Sequence, residues 1–177
     1  MTGATVLLIV LEVLGGWLLA DFLSGFLHWV EDRYGRESWP LIGKKVIGPN
    51  RQHHSEPLAF TRTDPITRNW SAALASFVLA MPLLLLFGPH LWLVVAFIGG
   101  CIANEVHYWA HLPHRAPGIV QALQVAGLCQ SRRQHALHHA APHLSNYCSL
   151  TDWLNPWLDR IGFWHFLERL LPNRWLA

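Results

Sequence analysis

Three long apolar stretches organise the chain. They run over residues 4–27, 69–87 and 91–110. Each is close to the ~20 residues that a helix needs to cross about 30 Å of hydrocarbon. A soluble protein could bury one such helix, but three in so short a chain are better explained by lipid. The pattern therefore predicts an all-α membrane protein with three transmembrane helices, and a further re-entrant or interfacial helix stays open.

The arrangement of these stretches predicts their orientation. Only the tripeptide GPH at residues 88–90 separates the second from the third, which is typical of an antiparallel helical hairpin. Segments 29–68 and 112–177 then share one side, and the N-terminus lies on the other. All 13 Lys and Arg residues lie in these two segments. The positive-inside rule predicts that this side is cytoplasmic.

The tail carries a weaker helical pattern. Asn155-Pro156 has the form of an N-cap followed by proline in the first helical position. Apolar residues then recur every three or four positions, with charged residues on the other face. This predicts a helix that either lies in the membrane interface or packs on neighbouring protein. The apolar positions are Leu154, Trp157, Leu158, Ile161, Trp164 and Leu167.

Composition narrows the class of protein. The chain is 52% hydrophobic and 14% charged, against about 25% charged in ordinary soluble domains. A formal charge of +2 is too balanced for nucleic acid to be the expected partner. The three cysteines form no CxxC pair, so neither a disulfide framework nor a thiolate zinc site is indicated.

Histidine is the unusual component, because the chain has 12. His107 and His111, at the end of the third stretch, are four residues apart and share one helical face. The segment HALHH at 135–139 repeats this spacing. Adjacent His53 and His54 would diverge by about 100° on a helix, so they could serve two metals more easily than chelate one. The candidate metal ligands are His28, His53, His54, His107, His111, His135, His138, His139 and His143.

The first apolar stretch adds two carboxylates. Asp21, Gly25, His28 and Asp32 are spaced by four, three and four residues and lie on one helical face. A carboxylate beside a histidine can accept its second ring N–H, as metal sites require. Asp21 lies about two turns inside the apolar boundary, where an ionisable group is costly and suggests function. Both aspartates, with Asn104, are candidate catalytic residues.

The number of histidines predicts two metal ions, because one zinc ion takes only three or four. Imidazole also suits copper, iron and nickel. A two-metal site at a membrane surface fits iron that activates O2 against an unactivated C–H bond, a step that needs a redox cofactor. Two alternatives stay open. A metal transporter or sensor would place ligands within the spans, and a zinc-dependent lipid hydrolase would work without O2.

Four segments resemble one known family, the plasmanylethanolamine desaturases, also called the Kua or CarF group. They are DFLSGFLHWVED at 21–32, RQHHSEPLAFTRTD at 51–64, NEVHYWAH at 104–111 and RRQHALHHAAPHLSNYCSLTDWLN at 132–155. The resemblance implies one lipid desaturase domain over residues 1–177, with a histidine-bound diiron centre, O2 as oxidant and an external electron donor. It implies that the nine histidines named above are the ligands.

The same resemblance implies a phospholipid substrate and a donor such as ferredoxin or cytochrome b5. The expected product is the vinyl ether of a plasmalogen, formed from an alkyl ether phospholipid. An acyl-lipid (phosphatidylglycerol-type) desaturase or a hydroxylase would share the histidine pattern. The lipid headgroup is expected near Lys44, Lys45, Arg51 or Arg62, although these residues could instead merely orient the protein.

Overall fold

A computed structural model describes residues 2–171 and contains only helices and loops among them. The all-α prediction is confirmed. Met1 and residues 172–177 lie outside the described residues. Arg174, one of the basic residues counted above, and both ends of the predicted domain therefore lie outside them too. The helices are α1 (Gly3–Tyr34), α2 (Gly48–Ser55), α3 (Pro65–Phe87), α4 (Leu91–Cys101), α5 (Ala103–His111), α6 (Gly118–Val125), α7 (Arg132–His138), α8 (Leu154–Arg160) and α9 (Phe163–Leu170).

Two helices, α1 and α3, are each long and apolar enough to cross a membrane. A third candidate span consists of α4 and α5 together, which are bent by 48° relative to each other. The apolar N-terminal half of α1 is widely exposed, with Val6, Leu7 and Leu8 between 46% and 61% accessible. Such surface is unfavourable in water and favourable in hydrocarbon, so these helices indicate membrane insertion.

The third span differs from the single helix that the sequence predicts. The helix breaks at Ile102, after Gly99 and Gly100 have ended α4. A Cβ on Gly99 would lie 2.8 Å from the Cβ of Ala20, so α1 and α4 are in close contact at this level. Glycine is a common site of sharp helix bends. The bend gives the histidine-bearing α5 its own direction.

The first helix continues seven residues beyond the apolar stretch that predicts it. Thr2 caps its N-terminus by accepting a hydrogen bond from the Thr5 N–H, and the helix ends at Tyr34. Its last two turns are polar and carry His28 and Asp32. The apolar pattern ends earlier because these side chains face other protein groups rather than lipid.

An extended part of the tail, residues 146–151, is held along α1. The Asp21 carboxylate accepts hydrogen bonds from the Leu150 N–H at 2.8 Å, the Thr151 N–H at 3.1 Å and the Thr151 hydroxyl at 2.5 Å. A Cβ on Gly25 would lie 2.6 Å from the Cys148 sulfur and 2.8 Å from its backbone nitrogen. Only glycine allows so close an approach.

The predicted tail helix is divided into α8 and α9 by Gly162, which has a φ of 66°. The predicted N-cap is wrong, because α8 begins at Leu154, two residues before the predicted first helical position Pro156, and Asn155 is fully buried in its first turn. There its side chain bonds both the N–H and the C=O of Cys148, and this buried partner overrides the capping role. Of the predicted apolar face, only part packs on protein around Trp29 and Tyr147. That part comprises Leu154, Leu158, Trp164 and Leu167, whereas Trp157 and Ile161 are exposed.

Candidate metal centre

Five histidines converge at the end of the helix bundle. One comes from α2, two from α5, one from α7 and one from the residue after α7. Pairs spaced by four residues on α5 and at the end of α7 place their rings on one helical face. The Nε2 atoms of neighbouring rings lie 2.8–3.3 Å apart. We call this set the five-histidine group: His53, His107, His111, His135 and His139.

These nitrogen–nitrogen distances suit rings that share one metal ion. Metal–imidazole bonds are about 2.0–2.1 Å long, so two ligands at right angles lie about 3.0 Å apart and two tetrahedral ligands about 3.4 Å apart. The observed spacing is closer to the right-angled value. Five converging nitrogens also exceed the four ligands of a structural zinc site. The group therefore fits a metal with more than four ligands.

Burial keeps these imidazoles in the form that binds metal. Burial lowers the pKa of His53 and His135 far below the usual range, and charge on the neighbouring histidines lowers it further. The same two causes lower the pKa of His139 to about 3. The rings are therefore neutral at physiological pH, and a neutral ring nitrogen is the donor that a metal requires.

A second group combines three histidines with a carboxylate. His28 and Asp32 come from α1, His54 from α2 and His138 from α7. The carboxylate lies between the rings: Asp32 Oδ1 is 3.0 Å from His54 Nε2, and Oδ2 is 3.5 Å from His138 Nε2 and 3.7 Å from His28 Nε2. Asn50 donates a 2.6 Å hydrogen bond to Oδ1. We call this set the mixed group.

The hydrogen bonds of the mixed group show which ring nitrogens of His28 and His138 carry the proton. Nδ1 of His28 faces the Tyr147 carbonyl at 3.2 Å, and Nδ1 of His138 faces the Ser145 carbonyl at 2.8 Å. A carbonyl only accepts, so each Nδ1 carries the proton and each neutral ring presents a lone pair at Nε2. Burial lowers the pKa of His138 well below its usual range, which favours this neutral form.

Three buried atoms therefore face one another without a proton between them. His28 Nε2, His138 Nε2 and Asp32 Oδ2 have no hydrogen-bond partner among the described residues. Buried polar atoms left unpaired cost about 1–3 kcal/mol each, and a carboxylate beside two lone pairs is additionally repelled. A cation among these atoms would remove the cost, so the mixed group also fits a metal.

The two groups are joined by sequence-adjacent residues. His53 belongs to the five-histidine group and His54 to the mixed group, with ring centres 6.0 Å apart. In the same way His139 belongs to the first group and His138 to the second, with ring centres 5.8 Å apart. Neighbouring side chains on a helix point in different directions, so one peptide unit serves both groups.

The structure brings eight of the nine candidate ligands into the two groups. The ninth, His143, belongs to neither: its ring centre is 4.8 Å from that of His54, and its Nδ1 lies 3.1 Å from the His138 carbonyl. Among the candidate catalytic residues, Asp32 lies in the mixed group. Asp21 contacts the tail instead, and Asn104 donates to the Arg68 carbonyl at 2.8 Å.

Two contacting residues were not anticipated. Asn50, which orients Asp32, stands four residues before His54, and that spacing is a signal in the sequence. Phe60 packs its ring 4.8 Å from that of His107 and 5.3 Å from that of His53. Nothing in its surroundings in the sequence distinguishes Phe60 from other apolar residues, because the contact depends on how the loop before α3 folds.

The chain matches proteins of known description over most of its length. Residues 17–175 match a protein-family model described as a lipid desaturase domain. A mouse protein named plasmanylethanolamine desaturase 1 is 36% identical over 94% of this chain. A Myxococcus xanthus plasmanylethanolamine desaturase is 35% identical over 93%, and an Arabidopsis thaliana chloroplastic fatty acid desaturase 4 is 38% identical over 86%.

These relatives are longer than the chain. The matched region covers 66% of the mouse protein, 60% of the Myxococcus protein and 48% of the Arabidopsis protein. No solved structure matches the chain.

Proposed function

The chain belongs to the lipid desaturase family, and on this premise we propose that it is an O2-dependent membrane lipid desaturase with a histidine-bound diiron centre. The proposed reaction converts the alkyl chain of an ether phospholipid into the vinyl ether of a plasmalogen. The single observation that carries the proposal is the pair of adjacent metal-ligand groups, five histidines beside three histidines and a carboxylate. Two neighbouring ions are the number that a diiron reaction needs.

The proposed roles follow the contacts. The five-histidine group would hold one iron, and His28, Asp32, His54 and His138 the other. His143 stays a predicted ligand from the resemblance, and its position beside His54 supports at least a role in fixing that ring. The contacts of Asp21 and Asn104 favour positioning roles, on the tail and on α3 respectively.

Bound iron would activate O2, which no side chain can do. Together with two electrons from the donor and two protons, O2 would take up the two hydrogens from adjacent carbons and leave as two water molecules. The side chains hold the ligand atoms in place. The carbonyls of Tyr147 and Ser145 fix the proton of His28 and His138 on Nδ1, so Nε2 stays free to bind. Asn50 holds the Asp32 carboxylate in its orientation.

The topology supports further parts of the proposal. We place the active site on the cytoplasmic side, because all Lys and Arg residues lie in segments 29–68 and 112–177. The N-terminus then lies on the opposite side, and residues 1–177 form one domain. A basic cytoplasmic face suits an acidic electron donor such as ferredoxin or cytochrome b5.

The test is a reconstituted reaction with a chemically defined lipid. The purified chain, loaded with iron, is given O2, a reduced donor and an alkyl ether phosphatidylethanolamine, and the lipids are analysed by mass spectrometry before and after mild acid. Loss of two hydrogens in an acid-labile product supports the proposal. An unchanged lipid, with the donor shown to be oxidised normally by a known desaturase, overturns it.

Acyl-lipid desaturation is the second candidate, because a relative is named fatty acid desaturase 4. A parallel reaction with diacyl phosphatidylglycerol separates it, since its product would carry an acid-stable double bond. Gain of one oxygen would identify a hydroxylase. Release of fatty acid without O2 by a protein with one zinc ion per chain would identify a hydrolase.

A further inference from the structure

An open groove of about 740 Å³ is lined in part by α5, the helix that carries His107 and His111 of the five-histidine group. It lies between the 3₁₀ turn Phe60–Arg62, the start of α3 and the end of α5. The lining residues that matter are Leu58, Arg62, Asp64, Tyr108, Trp109 and Arg115. Apolar, aromatic and charged side chains thus share one cavity at the end of the apolar helices.

The groove and the histidines are built from the same elements. On α5, Tyr108 and Trp109 line the groove, while their neighbour His107 belongs to the five-histidine group. In the turn before α3, Phe60 contacts the ring of His107 while Arg62 lines the groove. The groove and the five-histidine group therefore share two elements, although Tyr108 and Trp109 lie on a different face of α5 from His107.

One pair of charges in the groove is internally balanced. Arg68 is buried and forms a bidentate ion pair with Glu105, in which Nε donates to Oε2 at 3.0 Å and Nη2 donates to Oε1 at 3.2 Å. Its guanidinium also donates to the Thr63 carbonyl at 2.7 Å and lies 3.9 Å above the centre of the Tyr108 ring. This pair forms the floor of the groove and leaves no net charge there.

Three charged residues remain. Arg62 and Arg115 are exposed and positive, and Asp64 is exposed and negative. Oδ1 of Asp64 caps α3 by accepting from the Ile66 and Thr67 N–H groups at 3.0 Å. The Asp64 side chain is nevertheless exposed and lines the groove. Two guanidiniums and one carboxylate match a ligand with one phosphate and one cation.

We propose that this groove binds the headgroup of a zwitterionic phospholipid, with Arg62 and Arg115 on the phosphate diester and Asp64 on the ammonium. Guanidinium binds phosphate oxygens in a planar, two-bonded geometry. Tyr108 and Trp109 are the aromatic types that occupy the membrane interface beside headgroups. A phosphatidylglycerol headgroup has the same phosphate but no ammonium, so it leaves the Asp64 carboxylate without a partner and fits less well.

This inference rests on the proposed function. The position of the groove has a chemical reason under that function. The vinyl ether carbons of a phospholipid lie only a few bonds from the phosphate, so a phosphate held at the end of α5 brings them to the end of the molecule that carries the candidate metal site. The groove meets this requirement with Arg62 and the unanticipated Arg115. Lys44, Lys45 and Arg51 do not line it.

The test measures lipid binding without O2 or donor. The full-length chain in detergent is titrated with alkyl ether phosphatidylethanolamine or with phosphatidylglycerol of the same chains, and bound lipid is counted by native mass spectrometry. Wild type should prefer the zwitterionic lipid. R62Q/R115Q should weaken binding of both lipids about tenfold or more, and D64N should reduce the preference. Asparagine caps helices as well as aspartate does, so D64N leaves α3 capped.

Matched controls keep the result specific. R160Q/R169Q removes two exposed arginines outside the groove and should bind like wild type, and every variant should keep the wild-type melting temperature and metal content. Equal binding by R62Q/R115Q and wild type overturns the proposal, as does an unchanged preference in D64N or an equal loss in K44Q/K45Q. Displacement of the lipid by an equal concentration of inorganic phosphate would identify a free-phosphate site and also overturn it.

The outcome is independent of turnover. If the binding pattern holds but the reconstituted reaction gives no desaturated product, the proposed function fails and the groove stands. If desaturation occurs but R62Q/R115Q binds and reacts like wild type, the function stands and the groove assignment fails.

Discussion

Asp21 and Thr151 lie 130 residues apart in the chain and form a 2.5 Å hydrogen bond between carboxylate and hydroxyl. The same carboxylate accepts from two backbone N–H groups. Asp21 is completely buried. This contact fixes the tail to α1, and the tail carbonyls of Ser145 and Tyr147 orient His138 and His28. Asp21 lies outside both ligand groups, but through the tail it helps to orient two histidines of the mixed group.

We expect Asp21→Ala to lower the free energy of unfolding by roughly 3 kcal/mol or more, since each buried donor left unpaired costs about 1–3 kcal/mol. Thermal unfolding of the purified protein measures this. Exposed Glu56→Ala is the control and should melt like wild type. A normal melting temperature with lost turnover would contradict the positioning role and favour direct catalysis by Asp21.

Gly25→Ala should destabilise the protein by about 1–3 kcal/mol through overpacking, because the new methyl group meets the backbone of Cys148. Adding Cys148→Ala should not restore stability, since the Cys148 nitrogen and Cα remain 2.8 and 2.9 Å from the new Cβ. Gly15→Ala, with nothing within 4 Å of its Cβ, is the matched control. Rescue by Cys148→Ala would show that only the sulfur excludes a side chain.

His138→Ala and His139→Ala should each retain about one metal ion per chain, because adjacent residues belong to different groups. Elemental analysis gives the count, and X-ray absorption gives the ligands of the remaining ion. That ion should have mainly nitrogen ligands in His138→Ala and a nitrogen and oxygen set in His139→Ala. Exposed His165→Ala should keep both ions. Identical spectra for the two variants would show that the groups are not separate sites.

Arg68→Met should lower the free energy of unfolding by about 3 kcal/mol. This is toward the lower end of the cost of breaking a buried ion pair, because Glu105 is partly exposed. Glu105→Gln should cost less, since the amide oxygen still accepts from the guanidinium. The double variant should be more stable than the sum of the two single changes predicts, because it leaves no unpaired charge. Unfolding midpoints of all four proteins measure the coupling. Strict additivity would contradict an energetic link between the two residues.

Removal of metal should lower the melting temperature, because the three unpaired atoms of the mixed group and the crowded Nε2 atoms lose their common partner. Adding iron back at about one hundred times its dissociation constant should restore about 2.7 kcal/mol per site. The chelated protein and the reloaded protein are compared by thermal unfolding. A double variant, His107→Ala with His138→Ala, should show no response to iron. An equal response would place the metal elsewhere.

Much of the fold could be predicted from the sequence. Apolar stretches of the right length identify α1 and α3, and the histidine spacing on α5 and α7 identifies shared helical faces. The bend at Ile102 was not predictable, because apolar residues continue through it. The apolar stretch stops at residue 27 because the last turns of α1 are polar where they face the mixed group, and only the spacing of Asp21, His28 and Asp32 indicates that the helix continues toward Tyr34.

The candidate site was predictable where it depends on local spacing. Adjacent His53 and His54 indicate two metals, and Asp32 follows His28 by one turn. The groove as a whole could not be predicted: Arg62 was among the residues expected near the headgroup, but Arg115 is 53 positions away and stands in no distinctive pattern. Only the packing of α3 against α5 brings them to one cavity.

The division of His53 from His54, and of His138 from His139, between the two groups has one more consequence. Within each pair, a single backbone unit carries one ring of each group, so the backbones of α2 and α7 would constrain the distance between ions bound in the two groups. A rotation of α2 or α7 that drew one ring closer to its ion would draw its neighbour away from the other. If both groups bind ions as proposed, opposing constraints from two helices would hold their separation, and a shift of one ion would disturb the ligands of the other.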